Sequence, residues 1–296
     1  MLTVSEFLVR TFDLDYIDVW WEIADTVEDH LNYSFYLYRS ESPQGPWSQL
    51  AGPFKDRWYF RDVTVNQKHR HRRFYYRLRL VEDATGNEEY TAPATIEAES
   101  SLEAQEMVRR FALLLREFVG RKIIHFPVRT FGTRCPDCWD EIRYKKTKDK
   151  CLTCYNTGYA GGFMSPILTF LQFDPAPDSS QAGSAGESQD TKTTARGLPF
   201  PPFKPSDIIV EAENRRWRVM VSSDTERLRS PVHSELQLDE VHRGDIVYKL
   251  PINLDVRNFD PSPGRAIKPP YAVEELVTRE PEIEDVLRIY GFPYTK

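Results

Sequence analysis

The sequence predicts a mostly β protein with minor α: an N-terminal β-sandwich, a four-cysteine zinc knuckle, a small antiparallel β-barrel and an extended C-terminal arm with a short helix. Three observations lead there. Short apolar runs parted by stiff turns fill the first third of the chain and return between 207 and 253. Helical periodicity is confined to two short stretches. All four cysteines fall into two Cys-x-x-Cys pairs.

The composition agrees. A chain of 296 residues has room for two or three domains, each with its own core. Hydrophobic residues at 40% and aromatics at 13% are globular values. The 21 prolines outnumber the 14 glycines, as many short elements joined by stiff turns require. A net charge of -6 opposes a protein that coats nucleic acid over its whole surface, because phosphate binding rests on excess Lys and Arg. The opening MLTVSEFLVR mixes acidic and polar residues into its apolar stretch, so no signal peptide is expected. No run of about 18 apolar residues suggests a membrane span. The expectation is synthesis in a cytosol, where thiols stay reduced.

The first unit, residues 1–98, is read as strands. Tyr16–Ile23 is a short apolar-rich run, followed by Tyr33–Ser40 and a stiff Pro43-Gln44-Gly45-Pro46-Trp47 turn. Trp58–Phe60 comes next. Between Phe74 and Val81, Tyr76, Leu78 and Leu80 alternate with Arg77, Arg79 and Val81, as a strand with one wet face requires. Glu89–Ile96 would close the unit. Several short strands in under 100 residues signal a sandwich. Just before the Phe74 strand, Lys68, Arg70, Arg72 and Arg73 form a basic run, a candidate partner contact whose plainer reading is a solvated loop.

The second unit, 99–173, opens with a helix. Ser100 and Glu103 make a capping-box pattern. Val108, Phe111, Leu114, Leu115, Phe118 and Val119 recur at three- and four-residue steps, so one packed apolar stripe is expected, stopped by Gly120. Lys122–Phe131 and Ile167–Phe173 read as strands entering and leaving the cysteine cluster. In that cluster Cys135 and Cys138 are separated by twelve residues from Cys151 and Cys154. Each Cys-x-x-Cys turn brings two sulfurs onto one ion, and two turns complete a tetrahedron with Zn–S near about 2.3 Å. Disulfides or an iron–sulfur cluster compete, but paired spacing in a reducing compartment favours one structural zinc ion. Asn156 and Gly158 tolerate the left-handed geometry that such turns need. Trp139 and Tyr155 are expected to pack over the site, and His125 to be a plain strand residue. Lys145, Lys146, Lys148 and Lys150 between the pairs suggest nucleic-acid contact. The plainer alternative is a solvated hairpin balanced by Asp140, Glu141 and Asp149, with no interleaved aromatics to stack bases.

Residues 174–206 are poor in apolar side chains and are expected to form a flexible Pro/Ser/Gly-rich loop. Its end, Leu198–Pro202, is apolar and stiff, which makes Leu198 and Phe200 candidate docking residues. In the unit 207–253, four strands are expected: Ile208–Val210, Arg216–Val221, Glu235–Leu238 and Ile246–Leu250. They would form a small β-barrel continuous with the strands at 122–131 and 166–173. Residues 254–296 read as a Pro-rich arm ending in a helix whose face holds Ile283, Leu287 and Tyr290. A short helix on an arm does not stabilise itself, so these three are candidate partner contacts.

No catalytic pattern stands out: no Gly-rich phosphate loop, GxSxG, HExxH, or nucleophile with a local His partner. No enzyme activity is expected, and no catalytic residue is named.

Two resemblances add to this reading. Trp20, FYLYRSESPQGPWSQL and FYYRLRLVE resemble a fibronectin type III domain, which implies a spacer or contact module. CPDCWDEIRYKKTKDKCLTCYNTGYAGGF resembles the cysteine-paired knuckle of neck or tail proteins of tailed bacteriophages. The stretch from Lys204 through Ile252 is similar to the barrel of their head-to-tail connector (stopper) proteins. There, residues 174–206 would match a loop that projects into the channel. The likeness implies a structural virion protein made in the host cytoplasm and joining head and tail as an oligomeric ring. Its expected partners are neighbouring copies, portal, adaptor or tail proteins, and packaged DNA in passing, with no membrane. The sandwich, the zinc insertion and the arm depart from the stopper pattern, so another collar or tail structural protein fits as well. A zinc-ribbon nucleic-acid-binding protein is the main alternative, and a hydrolase with a site assembled across domains the other.

Overall fold

The computed structural model describes residues 2–10, 16–24, 29–65, 73–96, 102–174, 180–183, 186–189, 191–211, 214–227 and 230–252. Lys68, Arg70, Arg72 and the arm residues Ile283, Leu287 and Tyr290 lie outside the described residues.

Eight strands build the N-terminal unit: β1 (Val4–Arg10), β2 (Ile17–Ile23), β3 (Tyr33–Ser40), β4 (Ser48–Phe54), β5 (Tyr59–Asp62), β6 (Tyr75–Glu82), β7 (Glu88–Tyr90) and β8 (Ala94–Thr95). They form two antiparallel sheets, β1-β2-β5 and β4-β3-β6-β7, with β8 added to β6. The alternation read at Tyr76, Leu78 and Leu80 holds, since all three are buried while Arg77 and Arg79 face outward. Trp21, Ile23, Phe35, Leu37 and Trp58 share their core. Strand β1 went unread because only Val9 of its seven residues is fully buried, which leaves little alternation to detect.

A buried carboxylate ties the sandwich together at one end. Asp62 accepts hydrogen bonds from Arg39 Nη1 (2.7 Å), the Tyr76 hydroxyl (2.8 Å) and both the amide and hydroxyl of Thr64 (3.0 and 2.6 Å). Burial, together with the adjacent carboxylate, drives the Tyr76 phenol far above its ordinary range, so it stays a donor.

Helix α1 (Leu102–Leu114) runs into a single π turn over Leu115–Val119. The expected single stripe is split. Ala104, Val108 and Leu115 are buried, whereas Leu114, Phe118 and Val119 are exposed, because the wider turn rotates the last residues off the buried line. Gly120 ends the helix as read, through close approach and not through a left-handed conformation. A Cβ there would lie 2.1 Å from the Leu115 carbonyl oxygen.

The remaining strands among the described residues are β9 (Arg121–Phe126), β10 (Trp139–Asp140), β11 (Lys145–Lys146), β12 (Ile167–Phe173), β13 (Ser180–Gly183), β14 (Gly186–Gln189), β15 (Lys192–Gly197), β16 (Ile208–Val210), β17 (Arg216–Arg227) and β18 (Ser230–Glu240). Six of these close an antiparallel barrel in the order β12-β15-β18-β17-β16-β9. Ile123, Leu171, Ile209, Trp217, Val219, Leu236 and Leu238 fill it. The barrel therefore does include the strands before and after the cysteines.

Two expectations for this region are corrected. Residues 174–206 are not one long loop: β13 and β14 pair as a hairpin, and β15 is a full barrel strand. Thr193, Ala195 and Gly197 point inward between exposed Lys192, Thr194 and Arg196. The period of two is present, but its inward residues are too small to register as apolar. A Cβ on Gly197 would meet Leu171 at 2.5 Å, so the small residue suits the packing. Secondly, Ile246–Lys249 is a 3-10 turn rather than a fourth strand. Asp245 caps it by accepting from the Val247 amide, and the buried Arg216 guanidinium takes the carbonyls of Val247 and Leu250. Those backbone groups are thereby unavailable to a sheet ladder.

The sandwich core extends onto the barrel, whose interior is a separate cluster. Phe131, Met164, Ile167, Phe200 and Val232 join the sandwich cluster, as do Ala104 and Val108 of α1. Leu198–Pro202 finds a dock within the chain itself: Phe200 lies edge-on to Trp20 (6.3 Å) and Tyr59 (6.1 Å), and Leu198 packs on the same cluster.

Candidate metal centre

The knuckle rises from the barrel on two stems. Val128 bridges to Phe163 and Arg134 to Tyr159, so the segments before and after the cysteines leave side by side. Arg134 is held between the Trp139 and Tyr159 rings, its guanidinium carbon 4.2 Å from each. Outward of this pair, β10 and β11 form a two-residue ladder.

Backbone bonds close the turn of the first Cys-x-x-Cys and the turn that follows the second, and the Cys151 amide donates to Asn156 Oδ1 at 3.2 Å. The Cys135 carbonyl accepts from the Trp139 amide, and the Cys154 carbonyl accepts from the Thr157 amide. The second turn continues through left-handed residues Tyr155 (φ 46°), Asn156 (φ 69°) and Gly158 (φ 89°), as the Asn-x-Gly pattern suggested. Gly162, also left-handed at φ 73°, passes so close that a Cβ would stand 2.6 Å from the Cys154 carbonyl oxygen.

These turns bring the four sulfurs together. Cys135, Cys138, Cys151 and Cys154 are all buried and none is in a disulfide. Their Sγ atoms lie within 4.8 Å of one another, with Cys135–Cys151 at 3.7 Å and Cys138–Cys154 at 3.3 Å. Four sulfurs about 2.3 Å from a tetrahedral ion would stand about 3.8 Å apart, so the donor set fits one metal ion with no open coordination position.

The thiols are not equivalent. Burial raises Cys135 and Cys138 above the ordinary thiol value. At Cys151 burial acts the same way but is outweighed by the amides of Cys154 and Thr153 and by the neighbouring thiols, which bring it down to about 7. Backbone amides turned towards sulfur favour the thiolate that a metal requires.

The surroundings differ from expectation in two respects. Tyr155 packs on Phe163 and the barrel-side cluster, and Trp139 on Arg134, so each ring braces a stem. The lysine hairpin does carry an aromatic: Tyr144, adjacent to Lys145, is 80% exposed at the apex. The pattern Arg143-Tyr144-Lys145 signalled it in the sequence.

Sequence reasoning missed the polar side chains that seat the knuckle. Arg129, fully buried, donates to Asp56 (2.5 Å), to the Phe163 carbonyl (3.2 Å) and to His30 Nε2 (3.1 Å). His30 Nδ1 lies 3.1 Å from the Thr133 hydroxyl, and its Nε2 lies 3.5 Å from Asp56 Oδ1. His125 is a β9 residue as expected, but it is wholly buried and its Nε2 lies 2.8 Å from Asp207. Asp207 also accepts from the amides of Val128 and Lys204, and the Phe203 ring lies over the imidazole at 4.5 Å. This pair organises backbone beneath the knuckle. An isolated Arg in a knuckle stem and an Asp in a Pro205-Ser206-Asp207 turn carry no local signal of such partners. Arg73, the one described member of the basic run, is exposed.

No protein-family model matches this sequence, and no curated protein matches it.

Proposed function

We propose that this chain is a structural protein of a tailed-bacteriophage virion, made in the host cytoplasm and working in the neck as a stopper-like joint between head and tail. Its knuckle closes around one structural zinc ion, and it performs no catalysis. The observation that carries this reading is a buried four-sulfur knuckle standing on a closed six-strand barrel, with a sandwich whose core packs against that barrel. A closed coordination shell braces; it does not activate water. Such a body suits repeated contacts with neighbouring copies and with portal, adaptor or tail proteins, and another collar or tail position meets the same requirements. The test is the light-scattering mass of the zinc-loaded chain, alone and with phage head or tail fractions. The expected result is self-association or capture by a fraction, and a strict monomer absent from virions overturns it.

Exposed Tyr144 beside Lys145 favours a second reading, a zinc ribbon that binds nucleic acid. That reading requires retention of DNA or RNA whose affinity falls steeply with salt.

A further inference from the structure

Two features of opposite charge remain unused by the metal centre. The first is the knuckle apex between β10 and β11. Ile142 is 91% and Tyr144 80% exposed, more than any other large apolar side chain among the described residues. They are held out, since Asp140 accepts from the amides of Ile142 (2.9 Å) and Arg143 (3.1 Å). Tyr144 itself is fixed in a left-handed conformation at φ 49°. Lys145 and Lys148 beside them are exposed, and neither forms an ion pair with a described residue.

The second is a recess of about 400 Å³ in the sandwich, between β1 and the β7–β8 segment. Leu2, Val4, Phe7, Leu80 and Pro93 give it apolar walls, and Glu6 and Glu89 stand on its rim. Both glutamates are exposed, and neither forms an ion pair with a described residue.

An apolar tip flanked by cations and an apolar slot flanked by carboxylates thus occur at different places on one chain. Complementary patches that do not coincide make a head-to-tail contact, which closes into a ring when the rotation between copies allows. We propose that the knuckle apex of one copy docks in the β1/β7–β8 recess of the next, with Ile142 and Tyr144 entering the slot and Lys145 and Lys148 facing Glu6 and Glu89. This rests on the assembly reading above and names the surfaces that would serve it. It also gives the metal a purpose, because the apex projects only while the two turns beneath it are clamped.

The experiment uses the full zinc-loaded chain and two charge reversals, K145E/K148E and E6K/E89K. All positions are surface side chains, and unchanged zinc content and circular dichroism establish that each variant folds. The wild type is expected to associate in sedimentation equilibrium. Each variant alone should associate at least about tenfold more weakly, since like charges then face each other. An equimolar mixture should recover wild-type association, because each reversed surface meets its opposite on the other variant. A wild-type oligomer indifferent to both reversals overturns the knob-and-recess contact and leaves the assembly reading intact. A wild type that stays monomeric overturns both. If DNA binding is lost in K145E/K148E while association persists, the apex is a nucleic-acid site and the docking is overturned.

Discussion

Arg129 Nη2 lies 2.5 Å from Asp56 Oδ1, and this contact joins the knuckle stem to the sandwich. The two residues are far apart in sequence, and their surroundings differ: Arg129 is fully buried, whereas the Asp56 side chain is 31% exposed. Ser165 reinforces the joint by donating from its hydroxyl to the Asp56 carbonyl at 2.7 Å. The cation therefore depends on the carboxylate more than the reverse.

That asymmetry predicts unequal costs. Asp56→Asn leaves a guanidinium buried without its counter-charge and should destabilise the protein by about 3 kcal/mol. Arg129→Met removes the charge, leaves Asp56 partly hydrated, and strips the Phe163 carbonyl and His30 Nε2 of a donor, for about 1–3 kcal/mol. Urea unfolding of the two single variants and the double variant measures both and their coupling. If the double variant costs the sum of the singles, the contact contributes nothing of its own.

The same pair sets an acid limit. Burial acts to raise the Asp56 carboxyl, but His30 and Arg129 beside it hold it below the ordinary 3.8. Its folded-state value is thus lower than its unfolded one. The stability it contributes is fully present above about pH 4 and is lost as pH falls through the depressed folded value. Urea midpoints taken from pH 6 down to pH 3 should fall less steeply for Asp56→Asn than for the wild type below pH 4. Parallel curves would show that the acid limit lies elsewhere.

The metal centre predicts a local collapse. Its outer hairpin contributes no residue to the barrel or sandwich clusters, so a metal ion held by the four sulfurs would supply its stability, with an apparent affinity on the order of 10–16 kcal/mol if that ion is structural zinc. Chelation, or Cys138→Ser, should remove one equivalent of zinc per chain and open residues 135–163 to proteolysis. The far-UV spectrum of the barrel should persist. Elemental analysis and mapping of the cleavage sites check this. Global unfolding on chelation would mean that the stems need the metal as well.

What the sequence revealed follows from how locally each feature is encoded. The cysteine pairs, the Asn156 and Gly158 turn and the Tyr76-Leu78-Leu80 alternation are short-range patterns, and each took its expected place. Strand β15 was hidden because Thr193, Ala195 and Gly197 fill their side of the barrel with little volume. The turn at Ile246–Lys249 looked like a strand because its deciding partner, Arg216, comes from thirty residues earlier. Asp62, Arg129 and Asp207 were unreadable for the same reason, since a buried ion or hub is defined by partners that only the fold brings near.

Phe200 is the sharpest case of a residue whose character was legible but whose partner was not. Its apolar, Pro-flanked setting marked it for docking, and it lies buried against Trp20 and Tyr59 with Arg61 5.8 Å from its ring. Because those partners belong to the sandwich and Phe200 follows the barrel strand β15, the ring pins one unit to the other. Phe200→Ala should therefore cost about 3–5 kcal/mol, the usual range for emptying a packed aromatic site. It should do so without weakening association between copies, since the ring offers almost no surface to a neighbour. Urea unfolding measures the first effect and sedimentation equilibrium the second. A variant of unchanged stability that fails to associate would move Phe200 from the interior joint to an interface between chains.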